Sequence, residues 1–167
     1  KAAAATTQRT GTSPSHALDD YAGDYAHPGY GACRVTRTAD GLRIDFHGLG
    51  VDLAHWHYDV FVGKENSGEA ELAGTKVQFT TDFDGDIDAV RAVLEPATPP
   101  IVFARQPEAR LRDAAFLQRL VGRYDLKGAV ATVTLQKDRL VVSLPGQRYE
   151  LEPRRGLRFS LQGLSGY

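Results

Sequence analysis

Residues 33–48 read CRVTRTADGLRIDFHG, two short runs rich in β-branched and aromatic residues on either side of Ala39-Asp40-Gly41. An Asp-Gly pair between two such runs is a strong short-range hairpin signal, because these residues tolerate the backbone of a tight turn. Outward from this hairpin the same texture recurs in VDLAHWHY, DVFVG, KVQFTTDF, DIDAVRAVLEP and IVFAR. The spacing predicts about eight short strands with turn signals every 8 to 12 residues or so, the pattern of a barrel or sandwich.

Between Pro107 and Leu120 the period changes. Leu111, Ala115, Phe116 and Leu120 fall at helical spacing, and Pro107 suits a first helical turn. Strand texture resumes in ATVTLQ, RLVVSLP, QRYELEP and LRFSLQ. This second β portion resembles the first. YAGDY (21–25) aligns with LVGRY (120–124), and VTRTADGLRID (35–45) with VTLQKDRLVVS (133–143). At the same offset as the second pair, Leu53 meets Leu151 and Phe61 meets Phe159, which reads as an internal duplication. Where the first copy has His55-Trp56-His57-Tyr58-Asp59, the second has Pro153-Arg154-Arg155-Gly156-Leu157. A histidine pair absent from one copy is not needed to build the fold.

The chain has 167 residues, 42% hydrophobic and 25% charged, enough to bury a real core. Its formal net charge of -1 gives a nucleic-acid or anionic-membrane partner no electrostatic support. No apolar run approaches the roughly 18 residues that span a bilayer, so no transmembrane segment is expected. Cys33 is the single cysteine, which excludes an intrachain disulfide. There is no methionine, and the opening KAAAATTQRTGTSPSH lacks the apolar stretch of a signal peptide. The chain therefore reads as a piece of a longer protein, with KAAAA the last turn of a preceding helix and TGTSPS a linker.

YAGDYAHPGYG, LAHWHYDVFVG and VQFTTDFDGDIDAV occur in this order. Order and spacing resemble a domain of unknown function appended to the C-terminus of serine hydrolases of the β-lactamase and penicillin-binding-protein family, over residues 16 to about 105. The resemblance implies a small, lipocalin-like, eight-stranded antiparallel barrel, with Gly23-Asp24-Tyr25 at the glycine and aromatic of its first strand. It also implies a serine-hydrolase domain in the same polypeptide and an extracytoplasmic, periplasmic or secreted, location. Residues 112–167 resemble the start of a second such barrel. The domains expected are a linker and helix end at 1–15, a barrel at 16–104, a connecting helix at 105–119 and a partial second β repeat at 120–167.

The parent enzymes carry a serine three residues before a lysine. This chain has no Ser-x-x-Lys. Thr134-Leu-Gln-Lys137 has the spacing without the serine, and in a strand that odd spacing puts the two side chains on opposite faces. Gly163-Leu-Ser165-Gly-Tyr167 misses the Gly-x-Ser-x-Gly elbow. No catalytic residue is assigned, and no cofactor.

His55 and His57 have a spacing from which zinc sites on strands are built, but a site needs three or four ligands, and no spacing forces a third. By alternation, Ala54, Trp56, Tyr58, Val60 and Val62 form the more apolar face, the candidate interior, with Trp56 and Tyr58 as core aromatics. His55, His57 and Asp59 then face outward or toward a neighbouring module. TDFDGDID (81–88) lacks the glycine and glutamate positions of a calcium loop and reads as a hairpin turn at Asp84-Gly85. AHPGYGAC (26–33) reads as a turn, or as a loop at the barrel mouth where Tyr30 meets a ligand. The ligand or interface candidates are thus Tyr25, Tyr30, His55, Trp56, His57, Tyr58 and Asp59.

These observations favour a non-catalytic accessory module that packs on a serine-hydrolase domain, shaping its cleft or its assembly. The alternative is a stand-alone barrel holding a small molecule, which requires a hollow interior. The second β portion supplies about five strands, whose open edges call for a remedy. They pack on the first barrel, or pair with a second chain as a homodimer.

Overall fold

The computed structural model describes residues 7–94 and 98–162. The helix end expected at Lys1–Ala5 and the Gly163–Tyr167 motif lie outside the described residues. The chain divides into two compact units, one ending at Gln106 and the other starting at Pro107.

The first unit is the expected all-β barrel. A one-turn helix, α1 (Leu18–Tyr21), leads into β1 (Gly23–His27), β2 (Gly31–Thr38), β3 (Gly41–Phe46), β4 (Leu49–His57), β5 (Val60–Gly63), β6 (Lys76–Thr81), β7 (Ile87–Ala92) and β8 (Ile101–Arg105). Each strand pairs antiparallel with the next, and β8 returns to β1 to close the ring. The hairpin that opened the sequence is present, with Thr38 paired to Gly41 and Cys33 to Phe46. Its turn residues are Ala39 and Asp40, and Gly41 already belongs to β3.

Alternation sends Cys33, Val35, Leu42, Ile44, Val51 and Leu53 inward. A cluster of aromatic rings fills one end of the barrel. Tyr21 lies 5.3 Å from Phe61 and 4.9 Å from Phe79, in edge-to-face geometry, the arrangement favoured by ring quadrupoles. Tyr21 and Tyr25 are fully buried.

The expected interior face of β4 and β5 is reversed. Leu53 and Phe61 are buried at 3% and 2% exposure, whereas Tyr58 is 55% exposed. The pairing with β3 decides the inward set, since Leu42 faces Leu53 and Ile44 faces Val51. The register between β4 and β5 then shifts between His55 and His57, and Tyr58 sits in the left-handed region with φ of 47°. A period of two cannot be carried across a bulge and a turn.

Closure depends on β8. Its ladder to β1 has only two register pairs, Tyr25 with Arg105 and Ala26 with Ala104. The Arg105 side chain supplements it. Nη1 donates to Asp20 O at 2.7 Å and Ile87 O at 3.3 Å, and Nη2 donates to Ala22 O. The guanidinium also lies over the Tyr25 ring at 5.5 Å. Gly23 makes room for it, because a Cβ there would come within 3.0 Å of Nη2.

In the second unit the expected 107–120 helix is split into a 3-10 turn, Ala109–Arg112, and α2 (Ala114–Gln118). Asp113 between them is extended, and its carboxylate caps α2 by accepting from the Ala115 amide. The buried residues are accordingly Leu111 and Leu117, and Ala115 is exposed. A five-stranded antiparallel sheet follows, with β9 (Gly122–Asp125), β10 (Val130–Gln136), β11 (Arg139–Leu144), β12 (Gln147–Pro153) and β13 (Phe159–Leu161) in simple succession. Leu117, Ala131, Val133, Leu140 and Val142 form its core.

We predict that Arg105→Met lowers the stability of the first unit by about 3 kcal/mol, as buried carbonyls lose charge-assisted donors. Arg105→Lys should recover less than half of that, because an ammonium cannot reproduce the planar fork. Urea unfolding followed by Trp56, the one tryptophan of the chain, checks both.

Candidate functional site: a strap fastened to the His55–Asp59 turn

The segment that precedes the barrel is not a free linker where it is described. It runs as a strap along the end of β4. The Gln8 side-chain amide donates to Trp56 O at 2.8 Å, and the Arg9 amide to His57 Nδ1 at 3.3 Å. The Tyr58 amide donates to Thr12 Oγ1 at 3.2 Å. The Ser15 amide and hydroxyl both donate to Asp59 Oδ1 at 2.9 Å. His57, Tyr58 and Asp59 are therefore brought together as a receptor for the chain's own lead-in.

His55 faces the rim of the interior, edge-on to Phe61 at 5.6 Å, and donates through Nε2 to Tyr58 O at 2.8 Å. This corrects the expectation that it points outward, and the bonded carbonyl fixes the tight turn. Trp56 is half-buried rather than core, with the Lys76 ammonium over its ring at 4.3 Å. Among the described residues no group of three His, Cys, Asp or Glu side chains could hold a metal ion.

Ser15, His16 and Asp59 together invite comparison with a nucleophilic triad, and the geometry answers it. Ser15 Oγ is 2.7 Å from His16 Nδ1 and 2.9 Å from both Asp59 oxygens. A triad needs the carboxylate on the far side of the imidazole from the serine. Here the far nitrogen, His16 Nε2, donates to Gly85 O at 2.6 Å, and the carboxylate binds the serine directly. The cluster is a latch joining the strap, the β4–β5 turn and the β6–β7 turn. Sequence reasoning missed Ser15, His16 and Tyr21 because their partners lie 38 to 69 residues away, and no local pattern encodes such a distance.

Tyr21 is the centre of the latch. Its hydroxyl donates to Asp59 Oδ1 and accepts from the His16 amide at 3.2 Å, while its carbonyl accepts from the Tyr25 hydroxyl at 2.7 Å. Burial first, and then the bond to Asp59, push the Tyr21 hydroxyl up to about 12. Burial would raise the Asp59 carboxyl. The Tyr21 hydroxyl, the Ser15 amide and hydroxyl and the nearby His16 outweigh it and hold Asp59 below its usual value. Tyr25, a ligand candidate from sequence, is a core residue committed to Tyr21 and Arg105.

Tyr30 is at the opposite end. The Gly29 and Tyr30 amides donate to His27 Nδ1 at 3.0 and 3.2 Å, and His47 Nε2 donates to Tyr30 O at 2.9 Å. The His47 ring stacks on Phe46 at 4.2 Å. This mouth opens on a cavity of about 30 Å³ between Cys33, Phe46, Leu72, Leu94 and Phe103. Such a volume holds one or two waters. Burial pushes the Cys33 thiol up to about 12, so it stays protonated and unreactive.

The latch has an acid and an alkaline limit. A carboxyl with a lowered folded pKa contributes stability that is complete above its unfolded value of about 3.9 and lost as pH falls through the folded value. Stability should therefore fall below about pH 4, and Asp59→Asn should flatten that limb. Tyr21, raised, contributes stability that is complete below about pH 10 and lost as pH rises toward its folded value of about 12. Tyr21→Phe should remove that alkaline limb. At neutral pH Asp59→Ala should free the strap and cost about 2 kcal/mol, with trypsin cutting after Arg9 much faster than in the parent chain. Cys33 should resist a charged disulfide reagent until urea unfolds the first unit; a thiol titrated at once in the folded chain contradicts its burial.

A family model described as "Domain of unknown function (DUF3471)" matches residues 7–105, from the strap through β8. Among solved structures, the crystal structure of the C-terminal domain of penicillin binding protein Rv0907 is similar. The identity is 28% and the TM-score 0.47, over 63% of this chain and 100% of that one. No curated protein matches the chain. Since the family model spans more than half of its length, the chain belongs to the DUF3471 family.

Proposed function

We propose that this chain is a non-catalytic accessory region of a serine hydrolase of the β-lactamase and penicillin-binding-protein class. It packs beside the catalytic domain and influences its cleft or its assembly, outside the cytoplasm. The observation that carries this reading is the strap. A sequence with linker character is bound along the barrel from Gln8 to His16 before the first strand begins. A domain joined ahead of it would leave from a fixed point beside Trp56 rather than swing on a tether. His57, Asp59, Ser15 and His16 are engaged in that fastening, and His55 is bonded within the turn. Family membership and the order of the shared motifs support the same reading. The apolar cavity of about 30 Å³ is too small for more than one or two waters, which favours this reading over a barrel that carries a small molecule there.

A fluorescent penicillin tests the proposal. The natural polypeptide that contains this sequence should be labelled covalently. The 167-residue chain alone should neither be labelled nor turn over nitrocefin, since it holds no activated nucleophile. Asp59→Ala in the natural polypeptide should change the rate of labelling but not its final extent. A natural polypeptide that fails to react, or a 167-residue chain that reacts alone, contradicts the reading.

A further inference from the structure

The second unit repeats the first, pair by pair. In the barrel, Gly23 faces Val35 and Tyr25 faces Cys33; in the second sheet, Gly122 faces Val133 and Tyr124 faces Ala131. Leu42 with Leu53 becomes Leu140 with Leu151. His55 with Phe61 becomes Pro153 with Phe159. The Tyr25 hydroxyl donates to Tyr21 O at 2.7 Å, and the Tyr124 hydroxyl to Leu120 O, also at 2.7 Å. Strands β9 to β13 thus have the registers of β1 to β5. Among the described residues nothing corresponds to β6, β7 and β8, and β9 and β13 are sheet edges.

The residues that those three strands cover in the first copy are uncovered in the second. Tyr25 is fully buried, whereas Tyr124 is 44% exposed. Phe61 is 2% exposed, and its counterpart Phe159 is half-buried. Gly122 is the most telling position. Gly23 leaves room for the Arg105 guanidinium, which a Cβ would crowd at 3.0 Å, whereas a Cβ on Gly122 would meet only a Tyr124 ring carbon at 3.9 Å. The second sheet keeps the space for an arginine that the described residues do not supply.

We propose that β9 to β13 are the first five strands of a second eight-stranded barrel. Its other three strands follow Leu161 further along the same polypeptide. They form an antiparallel meander of period-two apolar pattern whose last strand lays an arginine over Tyr124 and Gly122. A second copy of this chain does not fit the vacancy as well, because its own β8 and Arg105 already close a barrel.

The test compares the natural polypeptide with the 167-residue chain. Its reading frame should continue past Tyr167 with three such strands and a terminal arginine. Hydrogen exchange at β9 and β13 should slow by roughly a hundredfold or more in the natural polypeptide, the difference between a frayed edge and a cooperatively protected strand. Gly122→Val supplies a separate readout. It should be neutral in the 167-residue chain, where the space is empty, and should lose that protection in the natural polypeptide, where a guanidinium fills it. A reading frame that stops near Tyr167, or equal exchange in both proteins, overturns the proposal. So does a 167-residue chain that sediments as a dimer with β9 and β13 already protected, which would make the second copy the occupant.

Discussion

At the seam that closes the first unit, one guanidinium supplements a short backbone ladder. Every other strand pair of the barrel except β5 with β6 has four or more register pairs, but the pair that closes the ring has two. A meander left open there would expose the edges of β1 and β8, with unpaired N–H and C=O groups along both. Arg105 extends the closure beyond the ladder by binding carbonyls of Asp20, Ala22 and Ile87, which belong to the lead-in and to a neighbouring strand. A bond between charged and neutral groups in a partly buried place is stronger than the backbone bonds it supplements. The requirement fits Gly23, where a Cβ would crowd Nη2 at 3.0 Å and the φ of 157° also favours glycine.

From Arg105 the constraint passes to the strap. The guanidinium holds Tyr25, the Tyr25 hydroxyl holds the Tyr21 carbonyl, and the Tyr21 hydroxyl holds Asp59. Asp59 in turn holds Ser15, whose neighbour His16 reaches Gly85 on the β6–β7 turn. One chain of bonds thus joins the closing strand to the lead-in segment. The Tyr25–Tyr21 bond at its centre is buried, where a hydrogen bond is electrostatically stronger than in water, and the Ser15 and His16 bonds at its outer end are exposed.

The hairpins were legible because strand register is a local property, written by turn residues and a period of two. Ala39-Asp40-Gly41 placed a turn within a residue of where it is, and strand texture marked β10 to β13 in ATVTLQ, RLVVSLP, QRYELEP and LRFSLQ. The inward face of β4 and β5 was read backwards because the window from Leu53 to Gly63 spans a bulge and a left-handed Tyr58, where alternation fails. The connecting helix was drawn too long because Asp113 serves as a cap rather than as a helical residue. The latch was illegible for a different reason. Ser15, His16 and Asp59 are ordinary residues in sequence, and only the fold brings Asp59 to 2.9 Å from Ser15 and the Gly85 carbonyl to 2.6 Å from His16.

The two copies also separate what the fold needs from what the histidines add. The second copy has no counterpart of His55-Trp56-His57-Tyr58-Asp59, yet its lead-in is fastened to the same turn. There the Gly156 amide donates to Glu108 Oε1 at 3.1 Å. In the first copy the Ser15 amide, in the strap, donates to Asp59 on the turn. Donor and acceptor have changed sides while the connection has been kept. A feature that survives with its chemistry inverted is a requirement of architecture rather than a relic of one sequence. Fastening the lead-in orders about ten residues, at a cost of roughly 1 kcal/mol or more each in backbone entropy, which a plain connector would not incur. In the second copy the fastened segment joins its sheet to a known neighbour in the chain, the end of β8. In the first copy the strap from Gln8 to His16 is held in the same way, with the backbone and side chains of the polar HWHYD turn as its partners.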